Sequence, residues 1–433
     1  MSKVLFLSIP SHGHMNPTLG LAQALVNQGE KITFFSSDEY RNAIEEIGAE
    51  FKAYKSDLNI FQKQPGSAQN TTPVKKNGPG LVSALLQPAK FIDDLLMQIP
   101  GLKFDYLVYS AAYPYAQVIA QILQIPAISS FAVFATLKDL TNKHNGPKET
   151  SGKGNGSRNK DSNPSDKANS PLNKDSAPMG LNPQIMDDFK KVRLQIIEKY
   201  HVEMAEDIFS HFFNKGDLNI IYTSKYFIPA IEQYDESYIF IGPPIYNKQY
   251  HVAFPFERLE GKKIIYISLG TIFSNHSADL NQLFFTSFGN TDALIVMAAY
   301  NVDLSKFDIP KNFIVRNYVP QSAILKYTDV AITHAGMNSI SDLVNSNIPF
   351  VAIPLGADQP ALAQRAEELG ATISLDVNYL NHDVLRSAVE KVLNDPSYLE
   401  NMKKISVSFK EAGGYKKAVE EIFKLKKEKG IIN

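Results

Sequence analysis

Short apolar runs alternate with helix-length amphipathic segments along most of this chain. The first unit runs from an apolar strand at residues 4–9, through a helix at 17–28 that Gly29 ends, to a second apolar strand at 31–36. Two strands joined by a crossover helix lie parallel in one sheet. The alternation therefore predicts an α/β fold built from doubly wound, Rossmann-like parallel sheets.

The alternation is interrupted near the middle of the chain. A single hydrophobic core stops growing at about 250 to 300 residues, so 433 residues with 44% hydrophobic content predict two cores. Prolines, glycines and scattered aromatic residues replace the periodicity around 241–260, which places a hinge linker at 246–262 between domains 1–245 and 263–433. Further strands are predicted at 105–110, 127–130, 218–223, 264–269, 293–298 and 330–333, and further helices at 114–123, 278–288, 337–345, from 382 onward and at 415–429.

One long segment lacks any packing pattern. Residues 139–183 consist largely of Lys, Asn, Ser, Asp, Gly and Pro, with almost no large apolar side chain. Such a composition buries too little apolar surface to offset the entropy lost on ordering. We predict a disordered insertion in the first domain, either a mobile cover or an inert segment.

Charge and apolar patterning exclude several classes of partner. Lys plus Arg number 44 against 45 acidic residues, and a net charge of −1 gives no footprint for nucleic acid or an anionic membrane. Zero cysteines exclude disulfides and thiol chemistry. The apolar run at 4–9 is too short for a signal peptide, and glutamines and Pro126 interrupt the apolar window at 111–135. We therefore expect no transmembrane segment and a cytoplasmic location.

A strand-to-helix turn in the second half predicts an anion-binding site. The strand at 330–333 meets the helix at 337–345 through His334, Ala335 and Gly336. The first turn of a helix carries unpaired N–H groups and about half a positive charge, so a diphosphate can bind there without a metal ion. Asn338 and Ser339 can also be interpreted as residues that only cap the helix.

A histidine follows the first predicted strand. His14 lies in the turn of residues 13–17 (Gly-His-Met-Asn-Pro), at the edge of a parallel sheet where ligands bind. An imidazole with an ordinary pKa of about 6.5 is largely neutral at pH 7 and can accept a proton. His14 is therefore a candidate general base, with His12 as a weaker candidate and helix capping as the alternative role. No third ligand stands nearby, so the two histidines do not predict a metal site.

Three motifs in a fixed order carry a resemblance to a known family. They are residues 9–17 (Ile-Pro-Ser-His-Gly-His-Met-Asn-Pro), 316–321 (Arg-Asn-Tyr-Val-Pro-Gln) and 333–359, which opens with Thr-His-Ala-Gly-Met-Asn-Ser and closes with Pro-Leu-Gly-Ala-Asp-Gln. Over nearly its whole length the chain resembles the family 1 UDP-glycosyltransferases, in particular the bacterial macrolide glycosyltransferase branch. The resemblance implies the GT-B architecture, two Rossmann-like domains facing a cleft. It also implies an inverting, metal-independent transfer of a hexose from a UDP-sugar to a small hydrophobic or aromatic acceptor, with no other cofactor.

The resemblance assigns a donor site to the second half of the chain and makes His14 the base. The implied contacts are Gly270 and Thr271 beside the diphosphate; His334, Gly336, Asn338 and Ser339 at the phosphates; Asp342 and Gln321 at the ribose; Tyr318 and the backbone of Val319 at the base; and Asp358 and Gln359 at the sugar hydroxyls. Gln359 favours glucose as the sugar. The nucleotide stays open between UDP and dTDP.

One position departs from the family pattern. The strand at 105–110 normally ends in an aspartate that orients the catalytic histidine and stabilises its protonated form, and this chain has Ser110 there. A serine accepts a hydrogen bond from imidazole but supplies no negative charge. Asp105 stands five residues away, about 16 Å along a strand, at the opposite edge of the sheet. We therefore expect a weaker base and reduced or acceptor-selective activity.

The acceptor is indicated only by composition. Aromatic residues in or after the first domain's predicted loops are candidates for an apolar cleft, although most are expected in the core. They are Phe61, Tyr113, Tyr115, Phe131 and Phe134. Phenols, flavonoids, macrolides and lipid-like alcohols all fit such a cleft.

Other functions stay open at this point. The main alternative is a nucleotide-sugar-binding protein of the same fold whose transferase activity is impaired because Ser110 replaces the usual aspartate. A nicotinamide oxidoreductase lacks the Gly-x-Gly-x-x-Gly motif after the first strand. A nucleotide-sugar epimerase is disfavoured by the motifs at 318–321 and 358–359.

Overall fold

The computed structural model of the protein describes residues 1–58, 80–132, 134, 183–244, 253–270 and 277–431. The predicted insertion lies outside the described residues except for Pro183, and so do Phe61, Thr271 and part of the predicted hinge. The predicted boundaries of the two domains therefore stay predictions.

The described residues of the first half of the chain form a sheet of seven strands in the order β3-β2-β1-β4-β5-β6-β7. Every neighbouring pair is parallel, and strands such as β4 are buried along their whole length because helices cover both faces. The strands are β1 (Lys3–Leu7), β2 (Lys31–Ser36), β3 (Glu50–Ala53), β4 (Tyr106–Ser110), β5 (Ala127–Phe131), β6 (Leu218–Ile221) and β7 (Tyr238–Phe240). The α-helices are α1 (His12–Val26), α2 (Arg41–Glu46), α3 (Gly80–Leu85), α4 (Pro88–Phe91), α5 (Asp93–Leu96), α6 (Ala116–Leu123) and α7 (Pro183–Tyr200).

In the second half, the residues that the structure describes form a sheet of six parallel strands in the order β10-β9-β8-β11-β12-β13. Its strands are β8 (Ile264–Ser268), β9 (Leu294–Ala298), β10 (Phe313–Arg316), β11 (Val330–Thr333), β12 (Phe350–Ala352) and β13 (Thr372–Ser374). Its α-helices are α8 (Ser277–Phe288), α9 (Gln321–Ile324), α10 (Met337–Asn345), α11 (Gln359–Glu368), α12 (His382–Asn394), α13 (Pro396–Glu411) and α14 (Gly414–Glu428). Short 3₁₀ helices are Asp38–Tyr40, Ile208–His211, Ile231–Gln233, Phe256–Arg258, Leu304–Lys306, Leu325–Tyr327 and Val377–Tyr379.

The predicted doubly wound α/β fold is confirmed, with one wrong helix start. The prediction began the first helix at Pro17, because proline is favoured in a first turn, whereas α1 begins at His12 and carries Pro17 in its interior. His14 therefore lies in the first helical turn instead of a turn before the helix. No helix was predicted at α7, although its apolar residues recur at helical spacing.

In both sheets the strand order reverses between two central strands. This switch point lies between β1 and β4 in the first sheet and between β8 and β11 in the second. Ligands of open parallel sheets bind outside the carboxyl ends of the strands at such points. His14 follows β1 and Ser110 ends β4, while Gly270 follows β8 and His334 follows β11, so the fold places each predicted site at a switch point.

The last helix, α14, packs on the first half of the chain. Tyr415 donates a hydrogen bond from its hydroxyl to the carbonyl of Pro17 at 3.1 Å, and Ala418 and Ile422 lie in the same buried cluster as Val4. Near the end of the helix the Nζ atom of Lys426 lies 2.8 Å from a carboxylate oxygen of Glu30. The last helix therefore lies against elements of the first half of the chain, and the predicted division into two domains stays a prediction.

Candidate active site

The carboxyl edges of the two sheets face one cavity of about 890 Å³. The first half contributes Ser11, His12, Gly13, His14 and Asn16, together with Ala132 and Pro244. The predicted donor residues at the wall are Gly270, Tyr318, Val319, Gln321, His334, Gly336, Asn338, Ser339, Asp342, Asp358 and Gln359. Thr271 lies outside the described residues. The cavity therefore joins the two predicted sites into one.

His14 is oriented from behind by Ser110. The backbone N–H of His14 bonds the carbonyl of Ser11, the residue that caps α1, and its Nδ1 atom lies 2.8 Å from Oγ of Ser110. Ser110 itself is 1% exposed and does not line the cavity. Burial lowers the pKa of His14 to about 4, so the imidazole is neutral at pH 7. His14 is therefore a candidate base whose hydrogen-bond partner is neutral.

His12 is engaged by other side chains at the same wall. Its Nδ1 atom lies 3.2 Å from the hydroxyl of Tyr40, and its Nε2 atom lies 3.7 Å from a carboxylate oxygen of Glu39. With both ring nitrogens facing partners, His12 is less suited than His14 to accept a proton from a substrate.

Two glycines hold the ring of His334. A Cβ atom added at Gly270 would lie 2.7 Å from Nε2 of His334, and one added at Gly336 would lie 2.6 Å from it. Gly270 has φ +75°, a conformation that favours glycine. Burial lowers the pKa of His334 to about 4, and its Nδ1 atom is buried without a hydrogen-bond partner among the described residues. The ring is therefore a fixed, neutral group at the cavity wall.

A relay of hydrogen bonds orients Asp342. The hydroxyl of Tyr266 donates to Oε1 of Gln321 at 2.9 Å, and Nε2 of Gln321 donates to Oδ2 of Asp342 at 2.5 Å. Burial raises the pKa of Asp342 to about 6, although the bond from Gln321 acts to lower it. Tyr266, at the cavity wall on β8, was not among the predicted site residues, because it is far from Gln321 in sequence.

The loop that precedes α11 is folded around Gln359. Its Oε1 atom accepts hydrogen bonds from the backbone N–H groups of Leu355 at 2.8 Å and Gly356 at 3.3 Å. Because that oxygen serves the loop, a ligand would meet the amide nitrogen. The neighbouring Asp358 has its pKa raised by burial to about 6.

Further residues complete the wall or are excluded from it. Tyr318 is 42% exposed and Val319 is buried. Tyr300 also lines the cavity and was missed, although its position directly after β9 was a usable signal. The four described candidates for the acceptor cleft are core residues, as most were expected to be: Tyr113, Tyr115, Phe131 and Phe134.

Two further properties concern the described part of the chain only. There, no three His, Asp or Glu side chains group as a metal site requires, and metal-free catalysis stays a prediction. None of the helices in those residues combines the length and the apolar character needed to cross a membrane. The predicted cytoplasmic location stays a prediction.

The chain is similar in sequence to known glycosyltransferases. Residues 257–412 match the family model described as UDP-glucoronosyl and UDP-glucosyl transferase. The uncharacterized UDP-glucosyltransferase YojK of Bacillus subtilis (strain 168) is 31% identical over 434 residues, which cover 99% of this chain and 98% of that protein. The oleandomycin glycosyltransferase of Streptomyces antibioticus is 22% identical over 97% of this chain and 90% of its own.

A solved structure shows the same fold. The calicheamicin glycosyltransferase CalG4 superposes with a TM-score of 0.74 at 18% identity, over 98% of this chain and 98% of that one. The two facing parallel sheets therefore have the GT-B arrangement that the motifs predict.

Proposed function

Since this chain belongs to the UDP-glucoronosyl and UDP-glucosyl transferase family, we propose that it moves a hexose from a UDP-sugar to a hydroxyl group of a small hydrophobic acceptor. It is an enzyme of the UDP-glucosyltransferase type. The sugar we propose is glucose. The transfer inverts the anomeric carbon and uses no metal ion.

The observation that carries the proposal is the shared cavity. His14 lies at the switch point of the first sheet, and His334 and Asn338 lie at that of the second. All three residues line the same cavity. An acceptor hydroxyl beside His14 would give its proton to the imidazole while its oxygen bonds the anomeric carbon. The bond from that carbon to the diphosphate breaks on the opposite face, so UDP leaves and the configuration inverts.

The diphosphate would bind at the N-terminus of α10. The N-terminus of that helix carries partial positive charge from its unpaired N–H groups, and Asn338 and Ser339 stand in its first turn. His334 adds a hydrogen bond from a neutral, fixed ring. Because these groups are in place before reaction, they stabilise the charge that develops on the leaving group, which supports a mechanism without a metal.

The remaining donor groups are proposed from the same wall. Asp342, oriented by Gln321, would accept hydrogen bonds from ribose hydroxyls, and Tyr318 would lie against the base. Asp358 and the amide nitrogen of Gln359 would bind sugar hydroxyls. An acid and an amide side by side suit the several hydroxyls of a hexose, which supports glucose.

The test is acceptor-dependent release of UDP from UDP-glucose, with phenolic and macrolide acceptors, in buffer with and without EDTA. We expect the amount of UDP released to equal the amount of glycoside formed, and we expect EDTA to leave both unchanged. UDP-glucose that binds tightly but is not consumed with any acceptor, by the wild type or by Ser110→Asp, would overturn the proposal in favour of a binding protein. Loss of release in EDTA, restored by Mg²⁺, would overturn the metal-free step alone.

A further inference from the structure

Pro17 leaves one carbonyl without its usual α-helical hydrogen bond in the helix that carries His14. In an α-helix the N–H of each residue bonds the carbonyl four positions earlier. Proline has no N–H, and Pro17 lies inside α1, so the carbonyl of Gly13 has no bond from that position. Gly13 directly precedes His14.

The carbonyl of Gly13 is bonded from the other half of the chain. Nδ2 of Asn338, in the first turn of α10, donates to it at 3.3 Å. A carbonyl oxygen only accepts, so this contact fixes which side of the Asn338 amide carries nitrogen. One hydrogen bond therefore joins the turn of the base to the helix start at which the diphosphate is proposed to bind.

The rest of the Asn338 amide is unused. An amide nitrogen carries two N–H donors, and the bond to Gly13 takes one. The Oδ1 atom is buried with no hydrogen-bond partner among the described residues. The side chain can thus hold Gly13 with one N–H and an oxygen of a diphosphate with the other N–H at the same time.

The carbonyl of Pro17 itself is held by two tyrosine hydroxyls. The carbonyl of Pro17 accepts hydrogen bonds from the hydroxyls of Tyr222 at 3.2 Å and Tyr415 at 3.1 Å. Both bonds go to a backbone oxygen, so they do not depend on the proline ring. Replacing Pro17 by alanine keeps them and adds only an N–H that can bond Gly13.

We propose that Pro17 and Gly13 form a positioning device: by releasing the Gly13 carbonyl to Asn338, Pro17 lets an occupied donor site set the orientation of His14. The inference rests on the proposed function, because it takes the donor to be a nucleotide diphosphate at α10. When that ligand orders the amide of Asn338, the same side chain holds the first turn of α1. The donor then prepares the base before the acceptor reacts.

The inference is tested by a double-mutant cycle of Pro17→Ala and Asn338→Ala. In Pro17→Ala the new N–H pairs Gly13 within the helix, so we expect a kcat lower by roughly 2- to 10-fold, the loss of one hydrogen bond. UDP affinity should fall by no more than the same factor, because the coupling is reciprocal, and thermal stability should be unchanged or higher. Asn338→Ala lowers both UDP affinity and kcat. In the double variant the UDP affinity falls as in Asn338→Ala, but kcat falls no further than the Asn338→Ala value, since the link is already broken.

The matched control is Gln23→Ala, an exposed position on the same helix, which leaves kcat unchanged. Losses in kcat that multiply in the double variant, or a Pro17→Ala enzyme with wild-type kcat, would overturn the inference.

A readout without turnover separates this inference from the proposed function. In nitrogen-labelled protein, with His14→Gln to assign the signal, we expect UDP to shift the imidazole resonances of His14 in the wild type and to shift them much less in Pro17→Ala. Equal shifts in both overturn the positioning device. Wild-type protein that binds UDP and shows the His14 shift but transfers no sugar overturns the proposed function alone, and absence of UDP binding overturns both.

Discussion

Nδ1 of His14 lies 2.8 Å from Oγ of Ser110, and a hydroxyl at that place satisfies either tautomer of the ring. If the hydroxyl donates to Nδ1, the proton sits on Nε2 and the ring cannot accept one there. If Nδ1–H donates to the hydroxyl, Nε2 is a base. A carboxylate would enforce the second tautomer and stabilise the imidazolium, so Ser110 would make His14 a weaker base in two ways.

We expect Ser110→Asp to strengthen that base. A carboxylate beside the imidazole raises the pKa of His14 from its present value of about 4 toward the ordinary value. It should raise kcat/KM by at most about 10-fold for each pKa unit, most for aliphatic alcohols, which give up their proton least readily. The acid limb of the kcat/KM profile, near pH 4 in the wild type, should move upward. The measurement is the pH profile with one phenol and one aliphatic alcohol.

The control for this change is Ser110→Ala, which removes the hydrogen bond without adding charge and should lower the rate with both acceptors. A Ser110→Asp variant with unchanged or lower turnover of the phenol would contradict the role given to the missing charge.

Gly336→Ala should displace His334 and weaken the donor site. The new Cβ atom would stand 2.6 Å from Nε2 of the ring, so the ring must move. The backbone of Gly336, with φ −67°, tolerates alanine, so the fold should stay intact. Since misplacement of a positioned group by about 1 Å costs about 10²-fold, we expect a loss of that order in kcat/KM for UDP-glucose, with an unchanged melting temperature.

A second variant separates the clash from other effects. In His334→Ala, where the clashing ring is absent, adding Gly336→Ala should change kcat/KM little. An equal loss from Gly336→Ala in both backgrounds would show that the glycine matters for a reason other than the ring.

Much of the fold and of the donor site could be predicted because the signals are local. β1 and β11 are continuous apolar runs, as parallel strands buried on both faces must be. Residues 333–359 carry most of the donor wall within one stretch of sequence. The start of α1 was not predictable from propensity, because Pro17 inside a helix is tolerated only when its neighbours satisfy the released carbonyl.

The contacts that orient the site were beyond a reading of the sequence. Tyr266 reaches Gln321 across 55 positions, and Asn338 reaches Gly13 across 325. Pairs this distant meet only after both sheets have formed and faced each other. No periodicity or motif encodes them.

Gln321→Leu should make nucleotide binding more sensitive to acid. The bond from Gln321 lowers the pKa of Asp342, which burial holds at about 6. Without that bond the pKa rises further, so the carboxylate that would accept the ribose hydroxyls is protonated at a higher pH. We expect the pH at which UDP affinity declines to move upward from about 6. The shift is measured by titrating UDP binding over a range of roughly pH 5 to 8, which brackets the pKa of Asp342 and its expected rise.

Tyr266→Phe is the matched control, since it removes the hydroxyl that orients Gln321 but leaves the amide beside Asp342. Its UDP affinity should fall by a few fold, roughly the value of one neutral hydrogen bond, with the midpoint less displaced than in Gln321→Leu. Identical pH curves for wild type and Gln321→Leu would contradict the relay.

Lys426→Met should release the last helix from the first half of the chain. The side chains of Lys426 and Glu30 are 3% and 1% exposed and 2.8 Å apart, and the hydroxyl of Tyr106 donates to the other oxygen of Glu30 at 2.9 Å. Removing the cation leaves a buried, unpaired carboxylate, which costs about 3 to 5 kcal/mol. We expect a lower melting temperature and faster proteolysis within α14.

Lys424→Met is the control: Lys424 is 68% exposed and forms a 3.6 Å ion pair with the half-buried Glu421, so the stability of this variant should differ from that of the wild type by less than about 0.5 kcal/mol. Adding Glu30→Gln to Lys426→Met should recover part of the loss, because no charge is then buried alone, and equal melting temperatures for the two lysine variants would contradict a structural role for the pair.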